Sequence, residues 1–255
     1  MNDSIGCILR RWRKKRRYSQ LQLALELAIS SKHVSFIETG RSLPSREMIL
    51  KIGEFLFLPK REINRGLYSA GYAPVYTELS VGHERLKPVF SAINQMIRNH
   101  MPYPALVLNQ DWDVVQANAT AERLLVDLGY SGHKNLVEAL TCDNPQTSKI
   151  VNWHESALAV LMRLRHEINM LGGSRRLEEL EKNLTACLAP EDEVINIDET
   201  APILATKIKT NGYVLSFFSI ISHLSTIQDV TVGEFKVELM FPADEITQNF
   251  YRQNI

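Results

Sequence analysis

Apolar positions three and four apart recur along the first seventy residues. Ile5, Ile8, Leu9 and Trp12 form a stripe that predicts a helix over 5–17. Leu21, Leu23, Ala24, Leu25 and Leu27 predict a short second helix, and Val34 and Ile37 a third over 31–38. Met48, Ile49, Ile52, Phe55 and Leu56 predict a fourth over 46–56, and Ile63, Leu67 and Tyr68 a fifth over 60–70. Polar residues punctuate these stripes. Ser19 with Gln22 three residues later is a capping-box pattern, and Ser30 is an N-cap ahead of the third helix, with Ile29 the buried turn residue between them. Thr39-Gly40 supplies a stop, because glycine accepts the left-handed backbone of a helix end. Pro44-Ser45 opens the fourth helix, Leu58-Pro59 breaks it, and Gly71 to Pro74 closes a five-helix all-α unit over 1–74.

Residues 75–83 read as a linker, and the pattern then changes. Leu86, Val89, Phe90, Ile93, Met96 and Ile97 predict an amphipathic helix to about Asn99. Short apolar runs over 105–108 and 112–117, separated by Asn109-Gln110-Asp111, predict two strands, and Asn118 caps a helix through Leu125. Ile150, Trp153, Ala157, Leu161 and Leu164 predict a long helix over 148–171, stopped by Gly172-Gly173, and another helix follows over 175–188. Residues 203–209, 213–222 and 234–241 predict three more strands, with Asn211-Gly212 as a tight hairpin turn. The acidic stretch Glu191 to Ala201 reads as a surface loop. Five strands with several helices make the second unit, 84–255, an α+β domain.

At 255 residues the chain has room for both units, and its 45% hydrophobic and 23% charged residues are those of a soluble globular protein. Formal net charge is zero, but the two halves differ. Residues 1–75 carry 14 Lys and Arg against 6 Asp and Glu, a net +8, and the remainder carries 15 against 23, a net −8. That asymmetry points to a nucleic-acid module joined to something else. Cys7, Cys142 and Cys187 are odd in number and lack metal-ligand spacing, so the expectation is reduced thiols, no disulfide scaffold and no metal site. The N-terminus lacks the order of a secretory signal, and the apolar run near Val214 to Ile221 is far short of a membrane span. The expected location is the cytoplasm.

A helix, a tight turn, a second helix and a glycine stop make up a helix-turn-helix DNA reader. Ser19-Gln20, Leu23-Ala24, Ser35, Ile37-Glu38, Gly40-Arg41 and Pro44-Ser45 stand at the spacing of the Cro/phage-repressor type, and the segment resembles that XRE family. The resemblance implies a lambda-repressor-like domain. It also implies that Arg13, seven residues before Gln20, forms a positioning ion pair with Glu38. In the second half, strand, turn, strand and an Asn-capped helix begin as a PAS-type sensor does. PYPALVLNQDWDVVQAN, Val151-Asn152-Trp153 and DVTVGEFKVELMFPADEIT resemble the ligand-binding domain of MmyB-like (MltR-type) regulators. That resemblance implies a PAS-like fold, a bacterial transcription factor and a fatty-acid-like ligand.

Reading DNA needs donors at the front of the recognition helix and phosphate anchors around it. Ser31 and Lys32 are the leading candidates for base edges or the groove, with His33 and Ser35 behind them and Phe36 able to meet a thymine methyl. Gln20, Arg41 and Ser45 are candidates for backbone phosphates. The run Arg10, Arg11, Arg13, Lys14, Lys15, Arg16 and Arg17 adds a basic surface, though not all seven side chains of one helix can face DNA. A homodimer on double-stranded DNA follows, since one such domain rarely supplies enough specificity alone.

For a small apolar ligand, Trp112, Trp153 and Phe217 are candidate walls, and Arg163 a candidate partner for a carboxylate beside Arg165, His154 and His223. No cofactor is expected beyond such a lipophile. Three functions remain in view: a ligand-responsive regulator, a DNA-binding protein whose second domain only dimerises or binds a protein, and an enzyme on a DNA-binding module. The last is disfavoured, because there is no Gly-rich phosphate loop, no G-x-S-x-G and no H-E-x-x-H.

Overall fold

The structure is a computed structural model and describes residues 4–188, 203–224 and 229–253. The chain divides into two compact units, one running to Leu79 and joined by Asn169–Gly173 and the stretch ending at Val230, the other formed by the rest. The first unit is built on five helices, α1 (Ile5–Lys15), α2 (Gln20–Leu27), α3 (Ser31–Glu38), α4 (Arg46–Phe55) and α5 (Lys60–Ser69). Their apolar stripes meet in one core around Ile8, Trp12, Leu23, Ile37, Ile52 and Leu67. Each of the first four helices starts at a serine whose hydroxyl accepts from a backbone N–H of the first turn, Ser4, Ser19, Ser30 and Ser45. At Ser19 the full capping box forms with Gln22.

Helix α1 lies against the end of α3 with no room to spare. A Cβ on Gly6 would fall 2.4 Å from the Ile37 carbonyl oxygen. Not every apolar residue of the stripes is inside. Tyr68 is 72% exposed, against the expectation that it packs back, because it lies one residue past the inward face set by Ile63 and Leu67. Leu21 and Leu25 likewise face outward from α2, and Ile29 is half-buried in the turn. The start of the expected linker is tied down: Asn64 accepts from the N–H groups of Val75 and Tyr76 and donates to the Tyr76 carbonyl.

The second unit opens with a short 3-10 turn, Glu84–Leu86, that runs into α6 (Lys87–Asn99). Then follow β1 (Ala105–Leu108), β2 (Val114–Ala117), α7 (Ala119–Leu128), α8 (Leu136–Cys142), α9 (Trp153–Leu171), α10 (Arg175–Cys187), β3 (Thr206–Thr210), β4 (Tyr213–His223), α11 (Val230–Gly233), β5 (Lys236–Pro242) and α12 (Glu245–Gln253). The strands form one antiparallel sheet in the order β2-β1-β5-β4-β3, an α+β, PAS-like architecture. Asn211 and Gly212 both adopt positive φ in the β3–β4 turn, as a two-residue hairpin requires. Lys236 and Glu238 pair across strands with Leu108 and Leu106 on one side and His223 and Ile221 on the other. These residues therefore share one face of the sheet.

Several elements differ from the sequence expectation. β2 begins at Val114 rather than Trp112, because the Asn109 side chain accepts from Asp111 N and Asp113 N and prolongs the turn. α9 begins at Trp153 rather than Ser148. The preceding segment instead runs beside β3, with Val151 N donating to Lys207 O and Lys209 N to Lys149 O. Ile150, which fits the helical stripe, is buried in that extended stretch. β3 begins at Thr206, leaving Ile203 and Leu204 exposed. α7 continues to Leu128 and ends on Gly129 in the left-handed conformation. Helices α8, α11 and α12 were not anticipated. Residues 191–201, expected as a loop, lie outside the described residues.

Candidate functional site

At the first candidate site, Arg13 of α1 and Glu38 of α3 meet in the core of the first unit. Arg13 Nε and Nη2 donate to the two carboxylate oxygens at 2.5 and 2.9 Å, and Arg13 Nη1 donates to the Tyr18 carbonyl at 2.6 Å. Gln20 Nε2 completes the network, donating to Glu38 Oε2 at 2.8 Å. One carboxylate thus fixes the end of α1, the start of α2 and the end of α3. Burial pushes the Glu38 carboxyl upward, but the bonds from Arg13 and Gln20 outweigh it and hold it below the usual carboxylate range. The same bond raises Arg13 above its ordinary value against the effect of burial.

With α3 held in this way, Ser31 and Lys32 are exposed at its first turn, and His33, Ser35 and Phe36 are half-buried along it. Lys32 Nζ lies 5.5 Å and Arg41 Cζ 5.9 Å from the Phe36 ring centroid, so the ring is flanked by two cations. Ser45 is exposed, but its hydroxyl already accepts from Met48 N as the α4 cap and donates to the Glu47 carboxylate. The basic run is partly internal. Arg11 pairs with Glu62, Arg13 with Glu38, and Arg16 donates to the carbonyls of Leu56 and Phe57. Arg10, Lys14 and Arg17 are exposed.

In the second unit the candidate residues gather inside. Trp112 is 2% exposed and sits at φ 68, a left-handed conformation that is uncommon for a bulky side chain. Its Nε1 donates to Glu167 at 2.8 Å. Arg163 Cζ stands 4.5 Å and Lys236 Nζ 4.2 Å from its ring centroid. Lys236 donates to Glu167 at 2.6 Å, and Arg163 pairs with Glu238 at 3.3 and 3.4 Å. Two acid–base pairs therefore enclose one indole between α9 and the sheet. Loss of water around Lys236, itself 2% exposed, pulls its ammonium down to about 8 despite the pull of Glu167. Burial pushes Glu238 up, yet the Arg163 charge and the bonds from Ser219 and Arg163 leave it below the usual range.

Trp153 and Phe217 lie in the packed interior, and the Trp153 Nε1 and Arg163 Nε donors have no acceptor among the described residues. A groove of about 560 Å³ runs between α6 and β2, lined by Ile97, Met101, Val115 and Ala117 with Asn94 and Glu122 at its sides. None of Trp112, Trp153, Arg163 and Phe217 lines it.

Residues 89–253 match the family model described as the MmyB-like transcription regulator ligand binding domain, and residues 9–63 match a helix-turn-helix model. The chain belongs to the MmyB-like transcription regulators. It is a ligand-responsive, DNA-binding protein of the helix-turn-helix type. No curated protein matches it. No helix among the described residues is long and apolar enough to cross a membrane, and no three metal-binding side chains gather among them.

In this MmyB-like regulator the structure brings Arg13, Glu38 and Gln20 together, and Trp112 with Arg163. Trp153 and Phe217 instead meet other rings edge-on, His154 and Tyr251 respectively. Arg165, one of the three alternative carboxylate partners, is tied to Glu181 instead. Sequence reasoning missed Glu62, Glu167, Lys236 and Glu238. A signal existed for the last two: a lysine and a glutamate two apart inside the apolar run Phe235 to Phe241 mark one face of a strand. Alternation of this kind normally denotes a solvated face, and here that face is buried under α9.

Proposed function

We propose that residues 1–74 read a specific DNA site as one half of a homodimer, and that residues 84–255, beyond a linker over 75–83, sense a small apolar ligand of the fatty-acid type. The observation that carries the DNA reading is the Glu38 network. It ties α1, α2 and α3 to one carboxylate while leaving Ser31 and Lys32 exposed at the front of α3. Lys32 is assigned to a base edge, with Ser31, His33, Ser35 and Phe36 beside it, and Gln20, Arg41 and Ser45 to phosphates. Gln20 has one amide hydrogen on Glu38 and keeps the other for DNA. A dimer of such domains takes half-sites about 34 Å apart, or a multiple of that. The test is fluorescence anisotropy on a selected site and on random DNA. Lys32→Ala should weaken the selected site by the equivalent of about 1–3 kcal/mol and random DNA by less. Equal losses would reduce Lys32 to a phosphate contact.

For the ligand, two buried donors without an acceptor among the described residues, Trp153 Nε1 and Arg163 Nε, support an occupant that brings an oxygen to them. A second reading is favoured by Trp112, Trp153 and Phe217, whose near-complete burial is that of an ordinary core. In that reading the second unit only dimerises or binds another protein. Native mass spectrometry with organic extraction separates the two. A stoichiometric lipophile supports the sensor, and a clean apo dimer that keeps full DNA affinity supports the dimerisation module.

A further inference from the structure

Cys142 and Cys187 stand far apart in sequence, and each is the last residue of its helix, α8 and α10. Both thiols are exposed, and neither is in a disulfide. The fold brings these two helix ends together. Residues four apart share a helix face, so Cys142 lies on the side of α8 that carries Glu138. Glu138 is bonded to Arg176 of α10, so this side faces α10. From the opposite helix, Cys187 Sγ lies 3.6 Å from the carbonyl oxygen of Thr141, the residue next to Cys142. Standard peptide dimensions place the following Cα about 3 Å from a carbonyl oxygen, so the Cys187 sulfur is within about 6.5 Å of the Cys142 Cα. A disulfide asks for Cα atoms about 4.4–6.8 Å apart; the Cys187 Cα stands one side-chain length beyond its sulfur, and the fraying of the two helix ends supplies the approach that closes the bridge.

We propose that Cys142 and Cys187 form a reversible dithiol–disulfide pair that ties the end of α8 to the end of α10 when the protein meets a hydroperoxide. The thiolate of one cysteine attacks a peroxide oxygen and breaks the O–O bond. The departing oxygen takes up a proton and leaves as water or an alcohol, and the attacking sulfur is now a sulfenic acid. The second thiolate attacks that sulfur, the S–O bond breaks, and the hydroxide leaves as water with a proton from solution. The two thiols lose two hydrogens in all, and one peroxide is reduced. Excess dithiol reverses the bond by exchange. In a reducing compartment such a bond is transient, which suits a signal better than a staple.

The test uses the full chain carrying Cys7→Ser, because Cys7 is a third exposed thiol that could exchange with the pair. Folded and urea-unfolded samples are treated with hydrogen peroxide, alkylated and digested without reduction. The expected product from the folded chain is one peptide pair linked through 142 and 187, two hydrogens lighter and released by dithiothreitol. In a thiol–disulfide buffer the equilibrium constant for the link should be at least about tenfold larger for the folded than for the unfolded chain, since the fold pre-closes the loop. Cys142→Ser and Cys187→Ser should each abolish the link. Equal constants in the two states, disulfides only between separate chains, or sulfinic acid at both positions without a link would each overturn the proposal.

Discussion

Glu38 in the first unit and Lys236 in the second are both buried ions bonded to an opposite charge, and burial has carried them to opposite outcomes. Glu38 remains below the usual carboxylate range, so the folded state favours its charge. Lys236 falls to about 8, so the folded state disfavours its charge. The difference lies in the donors each one meets. Glu38 receives two bonds from a planar guanidinium and a third from Gln20, which satisfies most of a carboxylate's capacity. Among the described residues Lys236 has one bonded partner, Glu167, which Trp112 Nε1 shares, and a second cation, Arg163, across the same indole. A buried charge is well held where its whole hydrogen-bonding capacity is met, and only tolerated where it is met in part.

The largest test breaks the better-held pair. Glu38→Ala leaves Arg13 buried without its partner and should cost about 3–5 kcal/mol of the first unit's stability in urea unfolding. The double variant Arg13→Met/Glu38→Leu should cost much less than Glu38→Ala alone. A double variant as damaged as the single one would mean that packing, not the stranded charge, sets the loss.

The next test reads the less well-held charge through pH. Between about 8 and 10.5 the unfolded chain keeps the Lys236 proton and the folded chain releases it. The unfolded state then binds more protons, so this group makes stability rise with pH across that window, by at most about 3 kcal/mol. Lys236→Met should remove that rise. The check is the difference between the wild-type and variant unfolding free energies at several pH values, and a flat difference would place the Lys236 titration elsewhere. Glu38 works from the acid side. Its lowered pKa contributes stability above the ordinary carboxylate value that is lost as pH falls through the folded one.

Gly6→Ala asks how far the Glu38 network depends on the close approach of α1 to α3. The added methyl meets the Ile37 carbonyl, and an overpacking cost of about 1–3 kcal/mol is expected, with weaker DNA binding as α3 shifts. Unchanged DNA affinity in a destabilised variant would separate the packing from the positioning. The smallest effect runs the other way. Ala28 ends α2 at φ 56, and Ala28→Gly should relieve that conformation and raise the first unit's unfolding free energy in urea, by no more than about 1 kcal/mol.

How much of each unit the sequence discloses follows from how local its determinants are. The first unit is written in short spacings: Ser19 with Gln22, Ser30 and Ser45 before their helices, and apolar stripes within single helices. The Arg13–Glu38 pair was reached through a family resemblance, since nothing local connects two helices. In the second unit, Ile150 fits a helical period and yet lies in an extended segment, because its backbone partners in β3 come more than fifty residues later. Lys236 and Glu238 alternate like a solvated edge, and only α9 across them reveals the burial. Helices α8 and α12 did carry local signals that were passed over. The Asn135 side chain caps α8, and the Asp244 side chain accepts from Thr247 N at the start of α12.

The internal bonds of Arg11, Arg13 and Arg16 also bear on how tightly the chain holds to any polyanion. A cation already bonded to a carboxylate or a carbonyl of its own fold displaces few condensed ions when DNA arrives. The seven-residue basic run therefore releases fewer counterions than its composition implies, and the fall of affinity with rising salt should be correspondingly shallow. A protein built in this way relies less on the general pull of phosphate, and under the proposed reading leaves more of its discrimination to the few side chains at the front of α3.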